Sequence, residues 1–269
     1  MRRHSIREQE TRTVERLRKP VFGLFSRAGE AATRKAWVPD GSRVYAVGDI
    51  HGSLDRLMRL HDAIVSDAEA SGAERKVVVY VGDYVDRGPD SRGVVNLLIE
   101  APLPGFECYH LIGNHEYYMR QFLEDGSTLQ GWLMNGGDAT LRSFGVDPFV
   151  GMVGSGGLCE ALRDSVTPAE RAFLDGLLWS HVEGDYLFVH AGIRPGVALD
   201  EQEQQDLIWI RDPFLSSDQE FGKVVVHGHT PVREPERRVN RIGIDTGAVY
   251  GGDLTALVLE ADGQSFLKA

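Results

Sequence analysis

The chain is 269 residues long, has a net charge of −11 and is 42% hydrophobic, which is ordinary for a globular protein. No run approaches the roughly 20 apolar residues of a membrane span. No repeat indicates a fibrous protein, and the acidic balance disfavours general binding to nucleic acid. Two cysteines, Cys108 and Cys159, are too few for a disulfide framework, so we expect a cytoplasmic protein without a membrane partner.

The first 40 residues are predicted to form a basic N-terminal arm in front of an acidic body. Residues 1–36 contain ten Lys or Arg and four Glu, a balance of +6, whereas the rest of the chain carries −17. The arm lacks the continuous apolar stretch of a secretory signal. We expect a solvated arm. The alternative is an arm that docks on an acidic partner or on the acidic body of the protein itself.

From Arg43 onward, short apolar runs alternate with amphipathic helical patterns. The expected order is strand 44–47, helix 53–69, strand 77–81, helix 91–99 and strand 109–112, which indicates βαβ units around a buried sheet. Leucine and aromatic residues at helical spacing predict a helical insertion over 115–180. Further strands are expected over 185–190, 223–227, 240–245 and 254–260. The pattern predicts a single α/β domain over residues 41–269.

Metal-binding residue types follow the apolar runs in five glycine-containing clusters. The clusters are Gly48-Asp49-Ile50-His51-Gly52, Gly82-Asp83-Tyr84-Val85-Asp86-Arg87-Gly88, Gly113-Asn114-His115-Glu116, His190-Ala191-Gly192 and His227-Gly228-His229-Thr230. The carboxyl ends of neighbouring strands meet at one crevice, where open α/β sheets bind ligands. A turn or a helix cap explains one such cluster. Five of them supply the Asp, Asn and His side chains that a dinuclear divalent-metal site requires.

The motifs GDIHG, GDYVDRG, GNHE, HAG and GHTP follow one another in the order typical of metallophosphoesterases. From about Arg43 to Glu260, the chain resembles the phosphoprotein phosphatase family of that superfamily, in its small bacterial and bacteriophage form. The resemblance implies a calcineurin-like β-sandwich flanked by helices, with a helical insertion. It implies hydrolysis of phosphate monoesters on Ser or Thr of a phosphorylated protein or peptide, with phosphotyrosine as a further candidate.

The resemblance also implies two divalent metal ions, with Mn²⁺ preferred and Fe or Zn as alternatives. The expected ligands are Asp49, His51 and Asp83 for the first ion, and the bridging Asp83, Asn114, His190 and His229 for the second. A hydroxide shared between the two ions would be the nucleophile.

Four further residues have expected roles in the reaction. His115 would be the general acid that protonates the leaving group, and Asp86 would orient its imidazole. Arg87 and Arg211 would bind the phosphoryl oxygens, because a planar guanidinium donates to two oxygens at once. For Arg211, a surface salt bridge with Asp212 or another neighbour is the alternative.

Other polar or aromatic residues near the motifs are expected to be structural. His227 is interpreted as a packing histidine beside the site, and Asn135 as a helix cap, although a substrate contact is the alternative. Trp209 and Tyr84 either shape the mouth of the site or pack in the core. The histidines without ligand-like surroundings are His61, His110 and His181.

Two other functions compete with the protein phosphatase. Ile112 stands where many Ser/Thr-specific relatives have a phosphate-binding arginine, which weakens the expected grip on phosphate. A diadenosine tetraphosphatase would share the fold and most ligands, but Glu116 at the end of GNHE and the complete Asp86-Arg87-Gly88 run favour the phosphatase. An inactive scaffold that binds phosphoproteins is disfavoured by the complete ligand set. We expect a monomer.

Overall fold

The computed structural model describes residues 35–149 and 155–269. Its strands are β1 (Ser42–Val47), β2 (Arg75–Tyr80), β3 (Glu107–His110), β4 (His181–Glu183), β5 (Tyr186–Phe188), β6 (Val224–His227), β7 (Glu236–Arg237), β8 (Arg241–Gly243), β9 (Thr255–Glu260) and β10 (Gly263–Lys268). Its α-helices are α1 (Leu54–Ser71), α2 (Ser91–Glu100), α3 (Asn114–Asp125), α4 (Leu129–Met134), α5 (Gly137–Ser143), α6 (Ser155–Ser165), α7 (Pro168–Asp175) and α8 (Gln204–Trp209).

The strands form two five-stranded mixed sheets. The first has the order β10-β9-β1-β2-β3, and β1, β2 and β3 run parallel because α1 and α2 connect them. The second has the order β4-β5-β6-β8-β7, with a parallel centre of β5, β6 and β8. These sheets confirm the predicted α/β class and the sandwich that the family resemblance implied.

Strand β1 lies at the centre of the first sheet, and both of its faces are covered. Val44 and Ala46 pack in one apolar cluster with Phe188 and Val226 of the second sheet. Tyr45, on the opposite face, packs in a second cluster with residues of α1 and α2. Because side chains alternate across a strand, a strand covered on both sides is apolar throughout, as the sequence of β1 is.

The helix α1 is amphipathic and covers the first sheet. Leu57, Leu60 and Ile64 lie on one face at helical spacing and are fully buried. The helix ends at Gly72, which has the left-handed conformation common after a helix.

The predicted helical insertion corresponds to α3 through α7, between the two sheets in chain order. The sequence patterns missed β4, β7, β10 and α8, because elements of two to six residues are too short to display a clear period. The predicted arm lies outside the described residues except for 35–40, where Ala36 and Val38 are buried in the apolar cluster between the sheets. Within the described residues, no helix is long and apolar enough to cross a membrane.

Candidate metal centre and active site

The residues predicted as metal ligands meet at one edge of the two sheets. Asp49 and His51 follow β1, Asp83 follows β2, and Asn114 begins α3 after β3. His190 follows β5, and His229 follows β6. All of them are buried, with at most 8% of any residue exposed. The parallel strands therefore bring together all six residues that the sequence singled out as ligands.

Asp83 lies at the centre of this group. Its Oδ2 is 3.5 Å from His51 Nε2 and 3.4 Å from His190 Nε2. His115 Nε2 is 3.9 Å from the same oxygen. Two sets of potential ligand atoms, each within 4.8 Å of one another, share this carboxylate: one includes His51 and His115, and the other includes His190 and His229. Asp83 is thus placed where a carboxylate could bridge two cations.

Asn114 joins the second of these sets. Its Oδ1 lies 3.0 Å from His190 Nε2 and 2.9 Å from His229 Nδ1. An amide oxygen and two imidazole nitrogens therefore point at a common position beside Asp83. Mixed oxygen and nitrogen donors of this kind suit divalent transition metals.

Buried negative charge also accumulates around Asp83. Burial and the carboxylates of Asp245 and Asp83 raise the pKa of Asp49 well above its ordinary value. Asp49 Oδ2 accepts a hydrogen bond from the backbone N–H of His229, but the buried Oδ1 has no hydrogen-bond partner among the described residues. Neighbouring buried carboxylates with an unpaired oxygen cost free energy unless a cation compensates them. This donor set therefore fits divalent metal ions.

Asp245 was missed in the sequence. It is 4% exposed, and its Oδ1 accepts a hydrogen bond from the N–H of Gly247. It follows Ile244, just after β8, and lies two residues before Gly247, so its place between a strand and a glycine could have indicated it.

The histidines among the predicted ligands differ in charge. Burial favours the neutral form that a metal requires in His51 and His229, whereas the carboxylate of Asp83 outweighs burial at His190 and raises its pKa. His51 Nδ1 and His190 Nδ1 each lie 2.9 Å from a backbone carbonyl, of Val85 and Val81 respectively. Such a contact leaves Nε2 as the nitrogen that faces the site. Burial is the main cause that lowers the pKa of His51 to about 3, and it also lowers the pKa of His229 to about 3.

His115 has different partners. Its Nδ1 lies 2.6 Å from Asp86 Oδ2, and both residues are fully buried. Burial opposes the charged imidazolium, but the carboxylates of Asp83 and Asp86 outweigh it and raise the pKa of His115. The buried Nε2 has no hydrogen-bond partner among the described residues and faces the ligand group. The geometry thus provides an imidazole that can hold a proton beside the candidate metal centre.

The two predicted arginines lie near the same centre without carboxylate partners. In the described part of the chain, neither Arg87 nor Arg211 forms an ion pair, so the alternative salt bridge of Arg211 with Asp212 is not present. Arg87 Nη1 contacts His51 Nε2, and its guanidinium lies 5.7 Å from the ring centroid of Tyr250. Arg211 is exposed, and its charge contributes to the low pKa of His229, after burial and His190.

The backbone of the site adopts a conformation that is rare for residues other than glycine. Among the described residues, six non-glycine residues have positive φ, and five of these are in the site: His51, Asp83, Asp86, Arg87 and His229. Such conformations cost of order 1–3 kcal/mol each and persist where the surrounding structure imposes them. Their concentration at one place is typical of a functional site.

Two glycines lie so close to ligand carboxylates that no side chain would fit at their positions. A Cβ at Gly113 would lie 2.1 Å from Asp83 Oδ1, and a Cβ at Gly228 would lie 1.9 Å from Asp49 Oδ1. Any side chain at these positions would collide with a carboxylate. The sequence motifs therefore need glycine there for reasons of space.

Glu116, the last residue of the GNHE motif, holds the loop that carries Asp83. Its carboxylate is fully buried and accepts hydrogen bonds from the N–H groups of Asp83, Tyr84, Val85 and Gly113, at 2.7 to 3.1 Å. Burial raises the pKa of Glu116 to about 7. This carboxylate therefore ties the end of β2 to the start of α3.

The residues interpreted as structural have the following surroundings. His227 packs edge-on against Phe214 at 5.1 Å and is 1% exposed. Asn135 Nδ2 donates to the carbonyl of Gly131 at the end of α4, and Ile112 is buried in the core. Tyr84 is also fully buried, so it packs in the core.

Trp209 is placed differently. It is partly exposed, and its ring lies 6.0 Å from that of His229 at the edge of the site.

The other three histidines lie among aromatic rings. His61 Nε2 contacts the hydroxyl of Tyr80 at 2.9 Å, and His110 stacks on the ring of the same Tyr80. His181 stacks on Tyr109 and contacts Glu183. None of the three belongs to a potential metal-binding group in the described part of the chain.

The two mixed sheets define an α/β sandwich. Buried carboxylates and imidazoles gather at the ends of its parallel strands, where they could bind divalent metals. The profile of the calcineurin-like phosphoesterase family matches residues 42–258. The chain belongs to that family, which confirms the superfamily that the motifs indicated.

This chain is similar in sequence to relatives whose names indicate two kinds of substrate, phosphorylated proteins and dinucleoside tetraphosphates. A serine/threonine-protein phosphatase 1 of Salmonella typhimurium is 30% identical over 224 residues, which span 79% of this chain and 89% of the relative. A bis(5′-nucleosyl)-tetraphosphatase PrpE (asymmetrical) of Bacillus thuringiensis is 28% identical over 229 residues, spanning 78% and 88%. The crystal structure of a cold-active protein-tyrosine phosphatase of a Shewanella species shares the fold, with a TM-score of 0.55 and 16% identity, covering 87% of this chain and 83% of that one.

Proposed function

We propose that this protein is a metal-dependent phosphoprotein phosphatase that hydrolyses phosphate monoesters of Ser or Thr, with Tyr as a further candidate. The observation that carries the proposal is His115, a buried imidazole paired with Asp86. Its Nε2 lies beside the candidate metal centre and has no hydrogen-bond partner among the described residues. The similarity to a serine/threonine-protein phosphatase of Salmonella typhimurium supports the substrate class.

The metal ligands in this proposal are those expected from the motifs. Asp49, His51 and Asp83 would hold one ion, and the second would be held by Asp83, Asn114, His190 and His229. When bound, divalent cations supply Lewis-acid charge that activates water and neutralises phosphoryl oxygens. Mn²⁺ is the ion we propose, because carboxylate, amide and imidazole donors suit it.

The protein's own side chains bind and orient the phosphate. Arg87 and Arg211 would each donate hydrogen bonds to phosphoryl oxygens, since neither forms an ion pair with a carboxylate in the described residues. Their charge would stabilise the negative charge that spreads over those oxygens in the transition state.

The presence of a general acid, His115, favours a phosphate monoester over a dinucleoside tetraphosphate as the substrate. An alkoxide leaving from phosphoserine is strongly basic, so it needs a proton as the ester bond breaks, and His115 Nε2 would donate it. Asp86 would keep the proton on Nδ1 and hold the ring in place. A leaving nucleotide phosphate is far less basic and gains little from a general acid. A buried, charge-paired histidine is therefore more useful to a phosphomonoesterase.

A dinucleoside tetraphosphatase is the second candidate, because relatives that bear that name are nearly as similar in sequence. The same metal ligands would serve both reactions. The two reactions differ in the leaving group, which is an alkoxide or phenoxide in one and a nucleotide phosphate in the other.

The experiment measures phosphate release by Mn²⁺-loaded protein from matched phosphoserine, phosphothreonine and phosphotyrosine peptides, with diadenosine tetraphosphate in parallel. The Asp83→Asn variant is the control for contaminating phosphatases. We expect kcat/KM to be highest for a peptide by more than tenfold. Preference for the dinucleotide would replace the proposal by the second candidate, and no turnover of either would favour a scaffold.

A further inference from the structure

We propose that Trp132 and Thr140 are positioning residues for the general acid, because they hold the carboxylate that orients His115. Trp132 lies in α4 and Thr140 in α5, within the helical insertion and far along the chain from the motif that contains Asp86. This inference rests on the proposed function, since it concerns the proton that His115 delivers.

Every oxygen of the Asp86 carboxylate has a donor. The indole N–H of Trp132 lies 3.0 and 2.9 Å from Oδ1 and Oδ2, so it is shared between them. The hydroxyl of Thr140 lies 2.6 Å from Oδ1. Oδ2 then faces His115 Nδ1 at 2.6 Å. All four residues are fully buried, so water does not compete for these contacts.

Thr140 also holds the backbone of Asp86. The N–H of Asp86 lies 2.8 Å from the Thr140 oxygen, and the hydroxyl of Ser91 is 3.0 Å from both groups. Asp86 has a φ of 73°, a conformation that a non-glycine residue adopts only under constraint. One hydroxyl from the insertion therefore supports both the strained backbone of Asp86 and its side chain.

The indole is fixed in its direction. A Cβ at Gly137 would lie 2.6 Å from the Trp132 ring, so the start of α5 packs directly on the indole. Phe122 covers it at 5.0 Å between ring centroids. Packing requires only a large ring at this position. It does not require that the indole N–H points at Asp86.

These contacts matter for the step in which the leaving group departs. As water attacks phosphorus, the ester P–O bond breaks, and the leaving oxygen keeps the electron pair and takes the proton from His115 Nε2. Without the donors from the insertion, the Asp86 carboxylate can turn, and the imidazole loses its orientation. The loss should therefore grow with the basicity of the leaving group, whereas a merely structural defect lowers turnover of all esters alike.

The first test uses Thr140→Val, which resembles threonine in shape, and Thr140→Ser, which keeps the hydroxyl. Trp132→Phe removes the indole donor, and Trp179→Phe is its control, because Trp179 pairs with Tyr117 away from Asp86. We expect Thr140→Val and Trp132→Phe to lose about tenfold or more kcat/KM on a phosphoserine peptide relative to p-nitrophenyl phosphate. Thr140→Ser and Trp179→Phe should keep the ratio of the intact protein.

Two further readouts separate positioning from folding. In a His115→Asn background, Thr140→Val should cause no additional loss, because the residues act as a unit. In metal-free protein, NMR of ¹⁵N-labelled histidine should detect the His115 Nδ1 proton, identified by its absence in His115→Asn. Thr140→Val should shift that resonance or lose it to exchange with water.

An unchanged resonance in Thr140→Val and in Trp132→Phe, or equal losses on both esters, overturns the inference. If the intact protein hydrolyses neither ester, the proposed function fails, and the resonance alone still decides whether the insertion positions His115.

Discussion

Replacing His115 by asparagine tests the proton donor directly. His115→Asn removes Nε2 from the site, while an amide can still face Asp86, which keeps its contacts with Trp132 and Thr140. A general acid contributes about 10²–10⁴-fold, which corresponds to about 2.7–5.4 kcal/mol of activation free energy at about 1.36 kcal/mol per tenfold. We expect that loss for phosphoserine peptides, whose alkoxide must be protonated. For p-nitrophenyl phosphate, whose leaving group is a weak base, we expect less than about tenfold.

The assay compares kcat/KM of the intact protein and of His115→Asn on both esters at saturating Mn²⁺. Loss of one partner from the buried Asp86 should cost about 1–3 kcal/mol of stability, so a thermal melt must show that the variant is folded at the assay temperature. His110→Asn is the matched control, because it removes an imidazole from a ring stack outside the site. Equal losses on the two esters would refute the assignment of His115 as the general acid.

Three further predictions concern the ligands and the scaffold. Asp83→Asn should lower the number of bound metal ions per chain below two, as measured by elemental analysis; an unchanged number would exclude it as the bridge. Gly228→Ala should lower activity at least about tenfold because its Cβ would meet Asp49 Oδ1, whereas Gly157→Ala, with open space around it, should not. Burial opposes the charge of Glu170, but Arg92 outweighs it and lowers the pKa of Glu170 below the unfolded value of 4.5. Its ionisation therefore stabilises the fold above about pH 4.5, and this stabilisation is lost as the pH falls through the folded pKa. Glu170→Gln should be less stable than the intact protein in urea at pH 7 but nearly equal to it at low pH; a constant difference would contradict the pairing.

The fold and the ligand group could be predicted because both follow from local patterns. Apolar runs such as Val77-Val78-Val79 are long enough to indicate buried strands, and each is followed by its polar residues within a few positions. Parallel strands of one sheet place their carboxyl ends at one edge, so Asp49 and Asp83 were expected to lie close together, whereas His190 reaches them from the second sheet.

The support of the site could not be predicted, because it depends on contacts between distant segments. Trp132 meets Asp86 across 46 positions of sequence, and Thr140 meets it across 54. Nothing in the local pattern around a tryptophan tells whether its N–H meets a carboxylate or only fills space. Asp245 is a different case, because it lies at the end of an expected strand and two residues before Gly247, so its local pattern could have indicated it.

Metal dependence of phosphopeptide hydrolysis tests the central claim most directly. Metal-free protein, prepared with a chelator, would receive Mn²⁺ in steps, and bound metal and phosphate release from a phosphoserine peptide would be measured on the same samples. The arrangement around Asp83 predicts no turnover in the metal-free protein and full turnover when two ions are bound per chain. Full turnover with no metal, or with a single bound ion, would contradict the account.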